Sequence, residues 1–570
     1  MIFKPDLILL HAPSLYDFRK MPNLSGPISD VVPSTPVFEM YPIGFSSIAE
    51  TLERNNIGVR IVNLAYRMLA DASFDVEKFL QKLTPHAFGI DLHWLVHAQG
   101  SIEVAKLCKK LHPGIPVIVG GLSATYFHED IIRYPEIDFV IRGDSTEIPL
   151  LQLMIEIKNR TSNFASIPNL SWKDAYSHPH INEFAYHLDN LNEFSNNYKH
   201  LFKIAVKYGD IRSMTAIYDW WRYPITAIMT CHGCTHNCIV CGGSHRALKS
   251  YAHRDTIAYR DPNLIIEDIH QVAKFTTSPI FIVGDLNQAP GDYADTVLEG
   301  IKQHDITNEI VTELFAPAKK TFIKKLADSV QKFNIEISPE SHDESIRKIC
   351  GKHYSNMAME ENIKTALDLG CGKFDIFFMI GLPQQTEASV METIDYCEYL
   401  LMRYGEKVVP FISPLAPFLD PGSIAYEHAD EYGYIIRFKK FEDYRQAMLS
   451  PSWKYFLNYE THWMNCDQIV AVTYRAGKRL NRLKYEAGLI SEYEYRQVDA
   501  RIDRARELID RIDEILKSPS IEEQRCRLNA LQFNIEKDSI ATICDKEELK
   551  WPMLRRGFRF CNIAKAILFD

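Results

Sequence analysis

The chain lacks any apolar run near the roughly 18 residues that a membrane-spanning helix needs, so no transmembrane segment is expected. It lacks a signal pattern at its start: Met1 to Leu10 is a short strand-like run with Asp6 inside it, and no secretory leader is expected. It lacks a basic excess. Its 64 lysines and arginines are outnumbered by 74 aspartates and glutamates, for a net charge of −10, so no affinity for nucleic acid is implied. Internal repeats and low-complexity tracts are absent. Cysteine is sparse, 12 in 570 residues, and without signs of secretion a disulfide framework is not expected. These absences predict a cytoplasmic protein. The length predicts about three or four domains, and a hydrophobic content of 46% is ample for their cores.

What the chain does have is a knot of cysteines. Thr230 to Ser244 holds Cys231, Cys234, Cys238 and Cys241, and the last three have the spacing C-x3-C-x2-C. The apolar run 225–229 leads in, which puts the knot on a loop just after a strand. Three thiolates on a 4Fe–4S cube leave one iron without a protein ligand, and that iron can hold a substrate. Two other readings stay open. Cys231-x2-Cys234 and Cys238-x2-Cys241 are two CxxC pairs, but zinc ribbons usually separate such pairs by about 15–20 residues. A closed ferredoxin-type cluster needs a fourth cysteine, usually followed by proline; Gly242 follows Cys241. Cys231 reads either as an inert buried thiol or as a partner of the reaction.

The remaining sequence alternates strand and helix patterns twice. Apolar runs at 7–10, 59–62, 87–92, 116–119 and 139–142, with helix-length segments between them, predict an open, doubly wound parallel sheet over residues 1–160. Ligands of such sheets sit at the carboxyl ends of the strands. There Gly120 and Gly121 end the fourth run and Gly143 the fifth, as close-approach glycines or as ordinary turns. Residues 161–220 read as a polar, extended linker. Tyr218, Trp220, Trp221 and Tyr223 beside its end read as core packing or as a pocket wall. Runs at 225–229, 279–283, 310–314, 335–338, 374–380 and 408–412 predict a partial (β/α)6 barrel over 221–420, with its chemistry at the strand ends. Residues 421–570 read as a mainly helical domain, a substrate cap. Ile502, Ala505, Leu508, Ile509, Ile512 and Leu516 form one apolar stripe there. Its aromatics, Tyr444, Trp453 and Tyr459 among them, either pack on the barrel or close its mouth.

The C-x3-C-x2-C loop ahead of six βα units resembles the radical S-adenosylmethionine (SAM) superfamily. Pro42-x-Gly44, Val119-Gly120-Gly121 with Ser123-Ala124-Thr125 behind it, and 138–144 followed by Glu147 resemble the cobalamin-binding domain fused to some of its members. The resemblance implies cobalamin near Gly120, Gly121, Ser123 and Gly143, and a 4Fe–4S cluster on Cys234, Cys238 and Cys241. It implies SAM near Gly284 and Asp285, which stand for the family's Gly-Gly-Glu with one glycine missing. Glu340 and Ser341 look like its Glu-Ser pair, and Gly381-Leu382-Pro383 like its turn near the adenine. Cobalamin mutases ligate cobalt through the histidine of a D-x-H-x-x-G loop. Here His11-Ala12-Pro13-Ser14 does not match, and Asp91-x-His93 has Val96 in the glycine's place, so no histidine ligand is expected from that motif. Such an enzyme cleaves SAM reductively to a 5′-deoxyadenosyl radical, takes hydrogen from an unactivated carbon, and passes that carbon the methyl of methylcobalamin. The implied activity is C-methyl transfer, with an external electron donor of flavodoxin or ferredoxin type. A non-methylating cyclisation or ring rearrangement, and a non-catalytic iron–sulfur or zinc protein, are the alternatives. The substrate, a small molecule or a peptide, is not legible.

Overall fold

Strands buried on both faces read as continuous apolar runs, and β1 (Leu7–His11), β2 (Val59–Asn63), β3 (Ala87–Asp91), β4 (Val117–Gly120) and β5 (Phe139–Ile141) are such strands. They belong to a computed structural model that describes residues 4–562 except 22, 25, 27–34, 194–196, 216, 219, 416, 539–542, 554–556 and 560–561. All five run parallel. The expected doubly wound α/β sheet is therefore present, with one difference. The polar segment after it supplies β6 (Leu170–Lys173) and β7 (Pro179–Ile181), which pair antiparallel on the β5 edge. Antiparallel pairing needs only a short return, whereas another parallel strand would need a crossover. The sheet order is β2-β1-β3-β4-β5-β6-β7. It reverses between β1 and β3, and the crevice outside their carboxyl ends is where open α/β sheets bind ligands.

The second alternation gives six parallel strands: β8 (Thr226–Met229), then, after a small ribbon of β9 (Cys231–His232) and β10 (Ala258–Tyr259), β11 (Ile280–Val283), β12 (Ile310–Leu314), β13 (Phe333–Glu340), β14 (Phe374–Ile380) and β15 (Val408–Pro414). Their order, β15-β14-β13-β12-β11-β8, is sequential, as right-handed βα units stacked side by side require. Phe333 opens β13, after a helix that spans Lys320–Ser329 and its cap at Val330. β13 also runs two residues past its expected end, through a register shift between Ile337 and Glu340.

Aromatics seal the amino-terminal end of this sheet. Trp551, from the C-terminal region, donates its backbone N–H to the Tyr223 hydroxyl (2.8 Å) and its indole N–H to Asp375 (2.9 Å). With Trp220, Ile225, Phe281 and Val311 it forms a separate buried cluster, so Tyr223 serves packing, while Trp220 belongs both to this cluster and to the wall of the cavity described below. Of two long helices, Cys466–Glu486 and Glu492–Leu516, the second carries the predicted apolar stripe inward, with Leu516 half-buried at its end. Trp453, Tyr444 and Tyr459 are buried in the main core. The Tyr434 hydroxyl donates to Gly381 O (2.9 Å), which packs the Gly-Leu-Pro turn against this region.

Candidate functional site

The cysteine loop leaves β8 and returns along the ribbon of β9 and β10, so its thiols sit at the carboxyl end of the six-stranded sheet. The described cysteines are all free. Cys234 Sγ accepts the His236 backbone N–H at 3.3 Å, and Cys241 Sγ accepts that of Gly243 at 3.3 Å. Such bonds favour the charged sulfur. Burial works the other way and pushes the Cys238 thiol up to about 11, so a bare thiolate is costly there and a bound cation would relieve it. Among the described residues, no three His, Cys, Asp or Glu side chains converge on one point as single-ion ligands. Three thiols on one short loop at the C-x3-C-x2-C spacing can each take one iron of a cube. The donor set fits the cluster.

Around the loop stand the ends of the neighbouring strands. Cys234 feels the charges of Glu313, Lys352 and Asp285, and Cys238 those of Lys352 and Glu340. Gly284 follows β11 with φ +95°, and a Cβ there would lie 2.7 Å from Thr230 Oγ1; only glycine fits. Asp285 spends its carboxylate inside the protein, on the Asn287 N–H (2.8 Å) and the Phe315 N–H (2.9 Å). It shapes the loop after β11. Glu340, at φ +65°, pairs with Lys352 at 2.7 Å and leaves Oε2 without a partner. Ser341 Oγ accepts the Asp343 N–H at 3.1 Å.

Two acids here were not singled out in the sequence. Glu313, on β12, accepts the Gly284 N–H, and burial pushes its carboxyl up to about 7. Its register partner Glu336 on β13 is also buried and raised by desolvation. Their signal was legible as acids inside apolar strand runs, where a buried charge needs a reason.

The first sheet meets the cysteine loop across one cavity of about 650 Å³, lined by Gly120, Gly121 and Gly143 on one side and Cys231, Gly233 and Gly243 on the other. A cavity of this size suits a large organic ligand, and the walls supplied by the sheet ends fit a cobalamin-sized group that must approach backbone closely. Ser123 is outside this lining; its hydroxyl donates to His93 O at 3.2 Å. Cys231 is buried in the wall of this cavity, and burial pushes its thiol up to about 11. The two sheets are tied together next to the cavity. Arg254 pairs with Asp144, and Ser145 Oγ lies 3.2 Å from His232 Nδ1.

At the crevice between β1 and β3, Asp91 accepts from His11 Nδ1 at 3.0 Å and from His93 Nδ1 at 2.8 Å. The sequence places Asp91 and His93 in one incomplete motif and gives His11 no part in it. A residue 80 positions away from Asp91 in the chain reaches it only because β1 and β3 are neighbours.

Comparison with known proteins agrees with this division. Residues 30–150 match the family model of the B12 binding domain, and residues 228–397 that of the radical SAM superfamily. The chain is 23% identical over 395 residues to an uncharacterized methyltransferase, PH0819, of Pyrococcus horikoshii, covering 68% of this chain and 78% of that protein. It is 25% identical over 286 residues to the hopanoid C-3 methylase of Methylococcus capsulatus, 49% of each chain. In fold it resembles the radical SAM methyltransferase TsrM of Kitasatospora setae, solved with cobalamin and a [4Fe-4S] cluster, with a TM-score of 0.54 at 14% identity over 76% of this chain and 78% of that one. OxsB, a cobalamin-dependent SAM radical enzyme solved with aqua-cobalamin and SAM, gives a TM-score of 0.50 at 12% identity, over 94% of this chain and 72% of that one.

Proposed function

We propose that this chain, a cobalamin-dependent radical SAM enzyme using a 4Fe–4S cluster, SAM and cobalamin, is a C-methyltransferase acting on an unactivated carbon. The observation that carries this reading is the single cavity shared by Gly120, Gly121 and Gly143 and by the rim of the cysteine loop. A methyl carrier on the first sheet and a radical source on the second would face the same space, as methyl delivery to a carbon radical requires. The names of the two curated relatives, a methyltransferase and a methylase, support it.

When bound, the cluster and SAM supply a carbon-centred radical and cobalamin supplies a transferable methyl group. The chain's own residues bind, orient and exclude water. Cys234, Cys238 and Cys241 would hold the iron. Glu340, with an unpartnered carboxylate oxygen, and the backbone around Gly284 would hold SAM. In this reading Asp285 and Ser341 are positioning residues, because the contacts described above fix their loops. Ser123 plays the same part for the first sheet. Gly120, Gly121 and Gly143 leave room for the corrin. Apolar walls keep the space dry and protect a radical from quenching. The C-terminal helices pack on the barrel, and the region they belong to would select the substrate; an external electron donor and a cytoplasmic setting complete the proposal.

The test is the fate of SAM. Reconstituted anaerobically with iron, sulfide and cobalamin, and given reductant and SAM, a methyltransferase forms S-adenosylhomocysteine beside 5′-deoxyadenosine. 5′-Deoxyadenosine without S-adenosylhomocysteine would point to the non-methylating chemistry instead.

A further inference from the structure

We propose that His93 is the axial ligand that this protein supplies to the lower face of cobalt, oriented by Asp91 and His11. The inference rests on the cobalamin reading above. It departs from the expectation set by the incomplete D-x-H-x-x-G match, and it comes from how three imidazoles share one carboxylate.

The protons can be placed from the acceptors. A carboxylate and a backbone carbonyl accept and cannot donate. His11 gives Nδ1–H to Asp91 (3.0 Å) and Nε2–H to Phe38 O (2.9 Å). With both ring nitrogens donating, His11 is an imidazolium, and it forms a fully buried ion pair with Asp91. His97 gives Nδ1–H to Ala12 O at 3.0 Å and lies completely buried, away from the cavity lining. His93 gives Nδ1–H to the second oxygen of Asp91 at 2.8 Å. Its Nε2 therefore carries a lone pair, and among the described residues no group is hydrogen-bonded to it. Of the three, only His93 lines the cavity, beside Gly120 and Gly121.

This is the arrangement of a metal-binding imidazole. The carboxylate behind it fixes the tautomer and orients the ring, and an Nε2–cobalt bond would form in place of the bond to the cofactor's own benzimidazole, without releasing a proton. The backbone is fixed as well. Ser123 donates both its N–H (3.4 Å) and its Oγ–H (3.2 Å) to His93 O, and Gly121 lies against the His93 amide so closely that a Cβ would come within 2.5 Å of it. All of this sits at the carboxyl ends of β1 and β3, the crevice where the strand order reverses.

The experiment is electron paramagnetic resonance of the full chain loaded anaerobically with cob(II)alamin, once at natural abundance and once with ¹⁵N-histidine. The expected spectrum shows superhyperfine triplets from one nitrogen, and the label turns each triplet into a doublet. His93→Gln should retain cobalamin in stoichiometric amount and lose the splitting. His97→Gln should keep it. Triplets unchanged by the label assign the nitrogen to the cofactor's own benzimidazole and overturn the proposal, as does a spectrum without splitting. Histidine splitting that survives His93→Gln overturns it too. Failure of the wild-type chain to retain cobalamin overturns the cobalamin reading itself and this inference with it.

Discussion

Gly121→Ala tests whether the turn after β4 is built for contact with the β3 loop. Gly121 has φ +119° and ψ 173°, a region open essentially to glycine alone, where another residue costs about 1–3 kcal/mol. A Cβ would lie 2.5 Å from His93 N, 2.6 Å from His93 Cα and 2.7 Å from the Leu92 carbonyl carbon. All three are backbone atoms of a buried loop, so relief means moving it, an overpacking cost of about 1–3 kcal/mol. The sum, about 2–6 kcal/mol, is a large share of ordinary domain stability. Gly120→Ala is the control. Its Cβ would meet only Ile141 O at 3.7 Å, an ordinary contact, so stability should change by less than about 1 kcal/mol. Thermal and urea melts of the cobalamin-free chain read the stabilities, and gel filtration with cobalamin reads retention. The Gly121 variant should lose both, while the Gly120 variant should melt like the wild type. A Gly121→Ala chain that melts with the wild type would refute the reasoning.

Replacing Cys234, Cys238 and Cys241 together by alanine should abolish iron content and brown colour after anaerobic reconstitution, with the circular dichroism spectrum unchanged; retention of iron would contradict the ligand assignment. Arg254→Met strips a buried Asp144 of its partner, whose own side chain is 3% exposed, and should cost about 3 kcal/mol in stability; adding Asp144→Asn should recover part of it, and purely additive losses would contradict the pairing. Glu313 releases its proton near pH 7 in the folded chain against 4.5 in the unfolded chain, so the unfolded state loses its proton first as pH rises and stability falls between those values. Glu313→Gln should flatten that fall in melts compared at pH 5 and pH 8, and an unchanged slope would contradict it.

Most of the frame was legible because burial on both faces leaves a plain mark. Runs such as 280–283 and 139–141 are apolar throughout, as parallel strands covered on both faces tend to be. The C-x3-C-x2-C spacing was legible because a cluster constrains its own ligands locally. What was not legible depends on long-range pairing. The antiparallel β6 and β7 follow a polar, proline-bearing stretch whose sequence gives no sign that it completes a sheet. His11 and Asp91 meet across 80 positions. Asp285 and Ser123 were expected to touch a cofactor, and only the structure shows how their polar atoms are used by nearby backbone groups. Glu313 and Glu336 are each visible as an acid inside a strand run, but only the register of their two strands sets them side by side.

The most direct measurement is product analysis after the anaerobically reconstituted chain is given deuteromethyl-labelled SAM and a low-potential reductant. The account predicts labelled methyl on the protein-bound cobalamin, with S-adenosylhomocysteine and 5′-deoxyadenosine both present and both lost in the triple cysteine variant. SAM recovered intact from a chain loaded with both iron and cobalamin would contradict it.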